Sequence, residues 1–119
     1  MSTNDFRLYN RIEVNNRQDE ITSIHTNSVT VSTGQVVTEQ NITPILLSSV
    51  INTLSKQLVY DRQGDQYLFA GYKSSYSLRY DAESNDYYIA LGDSGPIRHI
   101  VYLHQLQNAF YMIFRKELL

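Results

Sequence analysis

The sequence predicts an α+β fold: an antiparallel β-meander of about five strands in residues 58–103, a helix at about 44–57, a C-terminal helix at about 104–118, and strands ahead of them. Three observations carry this. Apolar residues recur at every second position through most of 58–103, and at every third or fourth position on either side of it. Turn-forming residues interrupt the alternation at short, regular intervals. The chain has 119 residues, 42% of them apolar and 18% charged, which suits one domain spanning residues 1–119, with 1–5 expected to be disordered.

Taken in order, Phe6, Leu8, Ile12 and Val14 fall on alternate positions, interrupted by Asn10, with Arg7, Tyr9, Arg11 and Glu13 between them, a strand with one apolar and one basic-aromatic face. Asn15-Asn16 supplies a turn, since Asn tolerates left-handed backbone. Residues 21–25 and 28–40 are rich in Thr and Val and predict short strands with a turn at Thr33-Gly34. Thr43-Pro44 reads as a helix start, and Leu47, Val50, Ile51, Leu54 and Leu58 then repeat at helical spacing. From Leu58 the period becomes two. Residues 58–61 and 66–72 flank a hairpin loop at 62–65, and residues 75–81 and 86–91 flank another at 82–85. A loop at 92–96 leads to a fifth strand at 97–103. The last segment carries Leu106, Phe110, Ile113 and Phe114 on one helical side. In layout alone, residues 76–118 resemble the strand–strand–helix tail of Pur-type single-strand binders. That likeness implies a sheet with a helix packed against it and assigns no residue a role.

Composition excludes several chemistries. Without Cys there is no disulfide framework, thiolate nucleophile or Cys-ligated metal. Ten Lys and Arg against 12 Asp and Glu give a net charge of −2, so no bulk charge draws the chain to nucleic acid or membranes. Residues 1–5 have neither the basic nor the apolar region of a signal peptide, and no apolar run approaches the ~20 residues of a membrane span. The expectation is a cytoplasmic protein, host-cytoplasmic if viral. The Asn-, Thr- and Tyr-rich, Cys-free character would suit a phage or mobile-element accessory protein.

Sequence motifs for catalysis are weak. Gly92-Asp93-Ser94-Gly95-Pro96 resembles the nucleophile segment of chymotrypsin-like proteases but lacks one Gly and has no upstream His in a matching segment, so it reads as a turn. His25, His99 and His104 do not converge at ligand spacing. Asp61/Asp65 and Asp81/Glu83/Asp86 fall in predicted hairpin loops, where solvation accounts for them. No phosphate-cradling glycine motif is present. No enzyme activity, metal or cofactor is expected.

What remains is aromatic. Nine of the ten Tyr lie in residues 58–119, and residues 67–80 hold five aromatics and two cations with no acid. If Leu78, Ile89 and Leu91 face the core with Tyr76, Tyr80 and Tyr87, then Ser77, Arg79, Tyr88, Arg98 and Tyr102 face outward. Arg79, Tyr88, Arg98 and Tyr102, with Lys73 and with Arg7, Tyr9 and Arg11 of the first strand, are the candidate partner-binding residues. Tyr and Arg dominate protein interfaces, so the first expectation is a protein partner or a second copy. The same composition stacks bases and neutralises phosphates, so single-stranded DNA or RNA is the alternative.

Overall fold

The structure, a computed structural model, describes residues 2–119 and divides into two compact units. One comprises the chain through Ile45 together with Tyr102–Leu118; the other comprises Leu46–Val101 with Leu119.

The first unit holds a five-stranded antiparallel sheet: β1 (Arg11–Val14), β2 (Arg17–Ile24), β3 (Ser28–Val31), β4 (Val36–Thr38) and β5 (Thr43–Pro44), in the order β4-β3-β2-β1-β5. The first half of β2 pairs with β1 and its second half with β3, with a register shift between Ile21 and Ser23. A bulge of this kind bends a strand and strengthens its twist. Ile12, Val14, Ile21, Val29, Val31 and Val37 point inward with Phe6 and Ile42. The helix α2 (Leu103–Phe114) contributes Leu103, Leu106, Ala109 and Phe110 from one side and ends at Arg115 in left-handed backbone, φ 58°.

The expected strand over 6–14 is shorter at its start. Tyr9 has φ 73°, so the alternation breaks there and β1 begins at Arg11. Side chains from α2 meet the polar backbone left over. Gln107, fully buried, accepts from the Arg11 N–H at 2.9 Å and donates to the Tyr9 carbonyl at 3.2 Å, imitating one rung of a β-ladder. Buried Asn10 accepts from the Arg7 N–H and donates to Asn108. Ser2–Asp5, expected to be disordered, forms a 3-10 turn at Thr3–Asp5 with a capping box; Thr3 donates to the Thr26 carbonyl and its N–H to Glu39. For Met1 that expectation lies outside the described residues.

The second unit contains the meander: β6 (Leu58–Asp61), β7 (Gln66–Phe69), β8 (Tyr76–Asp81), β9 (Asp86–Leu91) and β10 (Pro96–Ile100), five antiparallel strands in sequence order, as expected. Leu58, Phe69, Leu78, Ile89 and Ile100 make its buried face. The helix expected at 44–57 is instead one α-turn, α1 (Leu47–Val50), followed by a 3-10 turn at Ile51–Thr53. Pro44 belongs to the edge strand β5, where its missing N–H costs nothing, and Leu58 belongs to β6. Ser48, Ser49, Asn52 and Thr53 are poor helix formers, and no side chain caps the turn. The helical spacing of Leu47, Ile51 and Leu54 is real, and all three are buried, but the segment is too weak to hold a longer helix.

The meander contains an internal repeat of one hairpin. Residues 58–69 and 78–89 align as two hairpins of equal length sharing Leu, Tyr, Asp and Tyr at matching places. In the first, the Tyr60 hydroxyl donates to Asp65; in the second, the Tyr80 hydroxyl donates to Asn85 at 2.8 Å. Asp65 and Asn85 both have positive φ, at 49° and 58°. Asp61 and Asp81 each accept from the N–H two residues on. The Tyr pairs Tyr60–Tyr67 and Tyr80–Tyr87 sit with ring centroids 5.2 and 5.3 Å apart. The bond to Asp65 pushes the Tyr60 hydroxyl pKa up, and burial does the same to Tyr87.

Two outcomes follow for the first unit. Gln107→Leu keeps the volume but removes the partner of two part-buried backbone groups, so urea unfolding should show a loss of about 1–2 kcal/mol. His104 is buried between Phe6, 4.3 Å away, and Tyr102, 5.7 Å away, and its Nδ1 has no hydrogen-bond partner among the described residues. Burial lowers its pKa from 6.5 to about 4, against a small opposing pull from Asp5. The unfolded chain therefore takes up a proton below pH 6.5 that the folded chain refuses until about pH 4. Stability is full above that window and falls as pH drops through it, by at most about 1.4 kcal/mol per unit. Thermal melts of His104→Phe should lose that slope, while the two proteins keep parallel behaviour above pH 7.

Candidate functional site

Antiparallel partners directly opposite one another share a face. The β8–β9 register runs unbroken from Tyr76↔Leu91 to Asp81↔Asp86, so Leu78 and Ile89 turn to the buried side and Arg79 and Tyr88, directly paired, turn to the other. The register of β6–β7 and β7–β8 adds Val59, Leu68, Ser77, Gln66 and Asp61 to the Arg79 face, and β9–β10 adds His99 opposite Tyr88. Val59 is 53% and Leu68 38% exposed, and His99 is exposed.

Arg79 lies along this face instead of standing up from it. Its Nε donates to Gln66 Oε1 and Ser77 Oγ, both at 3.2 Å, and Nη2 donates to the Gly92 carbonyl at 2.9 Å. Gly92 follows Leu91, so the side chain runs from its own cross-strand row past the Ser77↔Ala90 row to the strand end. Ser77 and Ala90 are small and buried, which leaves room for it. All three acceptors are neutral, and Arg79 has no carboxylate partner among the described residues. The cation is held in place but not neutralised. Toward the hairpin tips the same face carries Asp61, Asp81 and Asp86.

The remaining candidates are placed differently. Arg98 stands opposite Ile89, on the buried side's face, where its position at the outer strand leaves it exposed. The cause is a register shift between Pro96 and Arg98 that absorbs Ile97 and gives the expected place of Arg98 to His99. Tyr102, expected on the last strand, is the N-cap of α2, its N–H donating to Gln105 at 3.0 Å; β10 stops at Ile100. Tyr80 and Leu91, expected in the core, are exposed because they sit at opposite ends of the buried face. Lys73 is exposed in the β7–β8 connection. Residues 92–95 form the β9–β10 turn, with Gly92 at φ 58° and the Ser94 N–H bonded to the Leu91 carbonyl.

Arg7, Tyr9 and Arg11 belong to the first unit, where Arg7 is committed. It pairs bidentately with Glu117 at 2.7 and 2.8 Å and lies 4.4 Å over the Tyr111 ring. Tyr9 is exposed, and Arg11 donates to Gln18 at 3.3 Å. Val59, Leu68, Gln66 and His99 were absent from the sequence-level set. The first two were legible in principle, since they alternate with inward-facing Leu58 and Phe69.

Among the described residues no three His, Asp or Glu side chains gather as a metal would need, and no helix is long and apolar enough to cross a membrane. Comparison with family models, curated proteins and solved structures finds no match.

Proposed function

We propose that the protein is a non-enzymatic interaction module that associates with a second copy of itself through the Val59–Leu68–Arg79–Tyr88 face of the meander. The observation that carries the reading is the immobilised, unneutralised Arg79 guanidinium beside Tyr88 and two exposed aliphatic side chains. Arg and Tyr set in an apolar surround are the composition of interface hot spots, and an Arg already fixed in place loses less side-chain freedom on binding. A second copy is favoured by charge. One face holds Arg79 at its middle and Asp86 toward its tip, so a two-fold arrangement sets each cation against the other copy's carboxylate. The same acids, Asp61, Asp81 and Asp86, weigh against single-stranded nucleic acid, whose phosphates they would repel. The reading places the protein in the cytoplasm, as an accessory protein of a phage or mobile element, in keeping with its Cys-free, Asn-, Thr- and Tyr-rich sequence.

Light scattering across a wide concentration range should show the mass rising from one chain toward two. Leu68→Asp changes an exposed residue and should weaken association by at least about tenfold, or ~1.4 kcal/mol. Arg79→Ala should act in the same direction. A monomer at every concentration, or a dimer indifferent to both substitutions, would contradict the proposal. Salt-sensitive binding of labelled oligo-dT, lost in Arg79→Ala, would assign the face to nucleic acid instead.

A further inference from the structure

A separate feature lies in the first unit, where the sheet leaves a gap. Its order begins at β4 and ends at β5, yet residues of β4 and of the β1–β5 edge line one cleft of about 350 Å³. Asn15 reaches across it to Gln35 at 3.3 Å. Two side chains are needed to bridge what a ladder would bridge directly, so the walls stand further apart than the ~4.8 Å of paired strands.

Both walls offer unused strand edge. The Glu39 N–H bonds to the Asn27 carbonyl and the Val31 N–H to the Gln35 carbonyl, which makes Ser28↔Thr38 and Thr30↔Val36 the wide pairs of the β3–β4 ladder. The N–H groups of Val36 and Thr38 therefore point away from β3, toward the free edge. On the other wall β5 pairs with Ile12 and Glu13, and the chain beyond them, Val14–Asn15, has no outer partner strand among the described residues. Val14 and Val37 are buried at the floor, and Val36 is 59% exposed at the rim. Glu13 is the one charged residue lining the cleft, and among the described residues it has no ion-pair partner. It alternates with inward-facing Ile12 and Val14, so it belongs to the outer face.

We propose that this cleft accepts an extended segment of a partner protein as an added strand on β4, with an apolar side chain inward over Val14 and Val37 and a basic side chain outward, where it pairs with Glu13. Three features choose this occupant. Unpaired strand edges bind extended backbone, and specificity then comes from the alternate side chains. A strand of about three residues, the length of β4, spans roughly 10 Å. The single carboxylate complements a cation and repels an anion. The Asn15–Gln35 bond that crosses the cleft is exposed and readily exchanged for backbone partners.

The probe is a set of fluorescein-labelled short peptides alternating valine with threonine around a central lysine, read by fluorescence anisotropy and by amide chemical-shift mapping. The lysine peptide should bind and shift amides of Glu13–Asn15 and Gln35–Thr38. Replacing its lysine by glutamate should weaken binding about tenfold, and Glu13→Gln should remove most of that preference. Val36→Pro deletes an outward N–H that the β3–β4 ladder does not use, so circular dichroism should stay unchanged while peptide binding falls at least about tenfold. No binding of any alternating peptide, equal binding of the lysine and glutamate forms, or full binding to Val36→Pro would each overturn the proposal. Leu68→Asp should leave peptide binding intact, which separates this cleft from the meander face.

Discussion

The register of the β8–β9 hairpin is the constraint on which the meander and its candidate site depend. Six consecutive pairs, from Tyr76↔Leu91 to Asp81↔Asp86, fix which side chains turn inward. A slip of one residue would turn one strand over, burying Arg79 and exposing Leu78 or burying Tyr88 and exposing Ile89, because the side-chain period of a strand is two. The tip enforces the pairing locally: Asn85 takes left-handed backbone and receives the Tyr80 hydroxyl, while Asp81 receives the Glu83 N–H. The β6–β7 hairpin repeats the device with Asp65, Tyr60 and Asp61. Two equivalent hairpins side by side set the width of the face on which Arg79 lies. Its guanidinium in turn rests beside the small pair Ser77 and Ala90, so sequence, register and site geometry are links in one chain of cause.

In the first unit, polar side chains do the work that a continued strand would have done. Tyr9 takes left-handed backbone just before β1, with its N–H still bonded to the Ile21 carbonyl; the Gln107 carboxamide meets the Arg11 N–H and the Tyr9 carbonyl, and Asn108 receives the Asn10 carboxamide. The Arg7–Glu117 pair with Tyr111 beneath ties the same segment to the far end of α2. Arg7, whose sequence context matches that of an interface arginine, is thereby engaged by groups of its own chain. A cation flanked by aromatics has the same signature whether its partner is inside or outside the chain.

How much was legible depended on the strength of local signals. The meander was readable because alternation, hairpin length and turn residues agree across 58–100. The spacing of Leu47, Ile51 and Leu54 predicts a longer helix near 44–57 than forms, because helical spacing persists through a segment that is α-helical for one turn and 3-10 for the next. Leu58 extended that spacing by coincidence from β6. The hairpin repeat is legible as Leu-x-Tyr-Asp at 58–61 and again at 78–81, whereas the recurring bond from Tyr to a left-handed Asp or Asn is visible only in the structure. The side taken by Arg98 depends on the irregularity at Ile97, for which Gly95-Pro96 is only a general hint. On the candidate face, alternation alone places Arg79 and Tyr88 together, while Gln66, Leu68 and His99 join them only through the pairing partners, which periodicity does not supply.

An arginine held by neutral acceptors, next to a tyrosine and exposed aliphatics, with acids further along the same face, is the surface that we propose pairs with its own two-fold copy. The most direct measurement is an isotope-filtered NOE experiment on a mixture of labelled and unlabelled chains. Intermolecular cross-peaks from the Leu68 methyls, the Tyr88 ring and the Arg79 side chain are the predicted result. Cross-peaks confined to other surfaces, or none in a sample concentrated enough to report an interface, would contradict it.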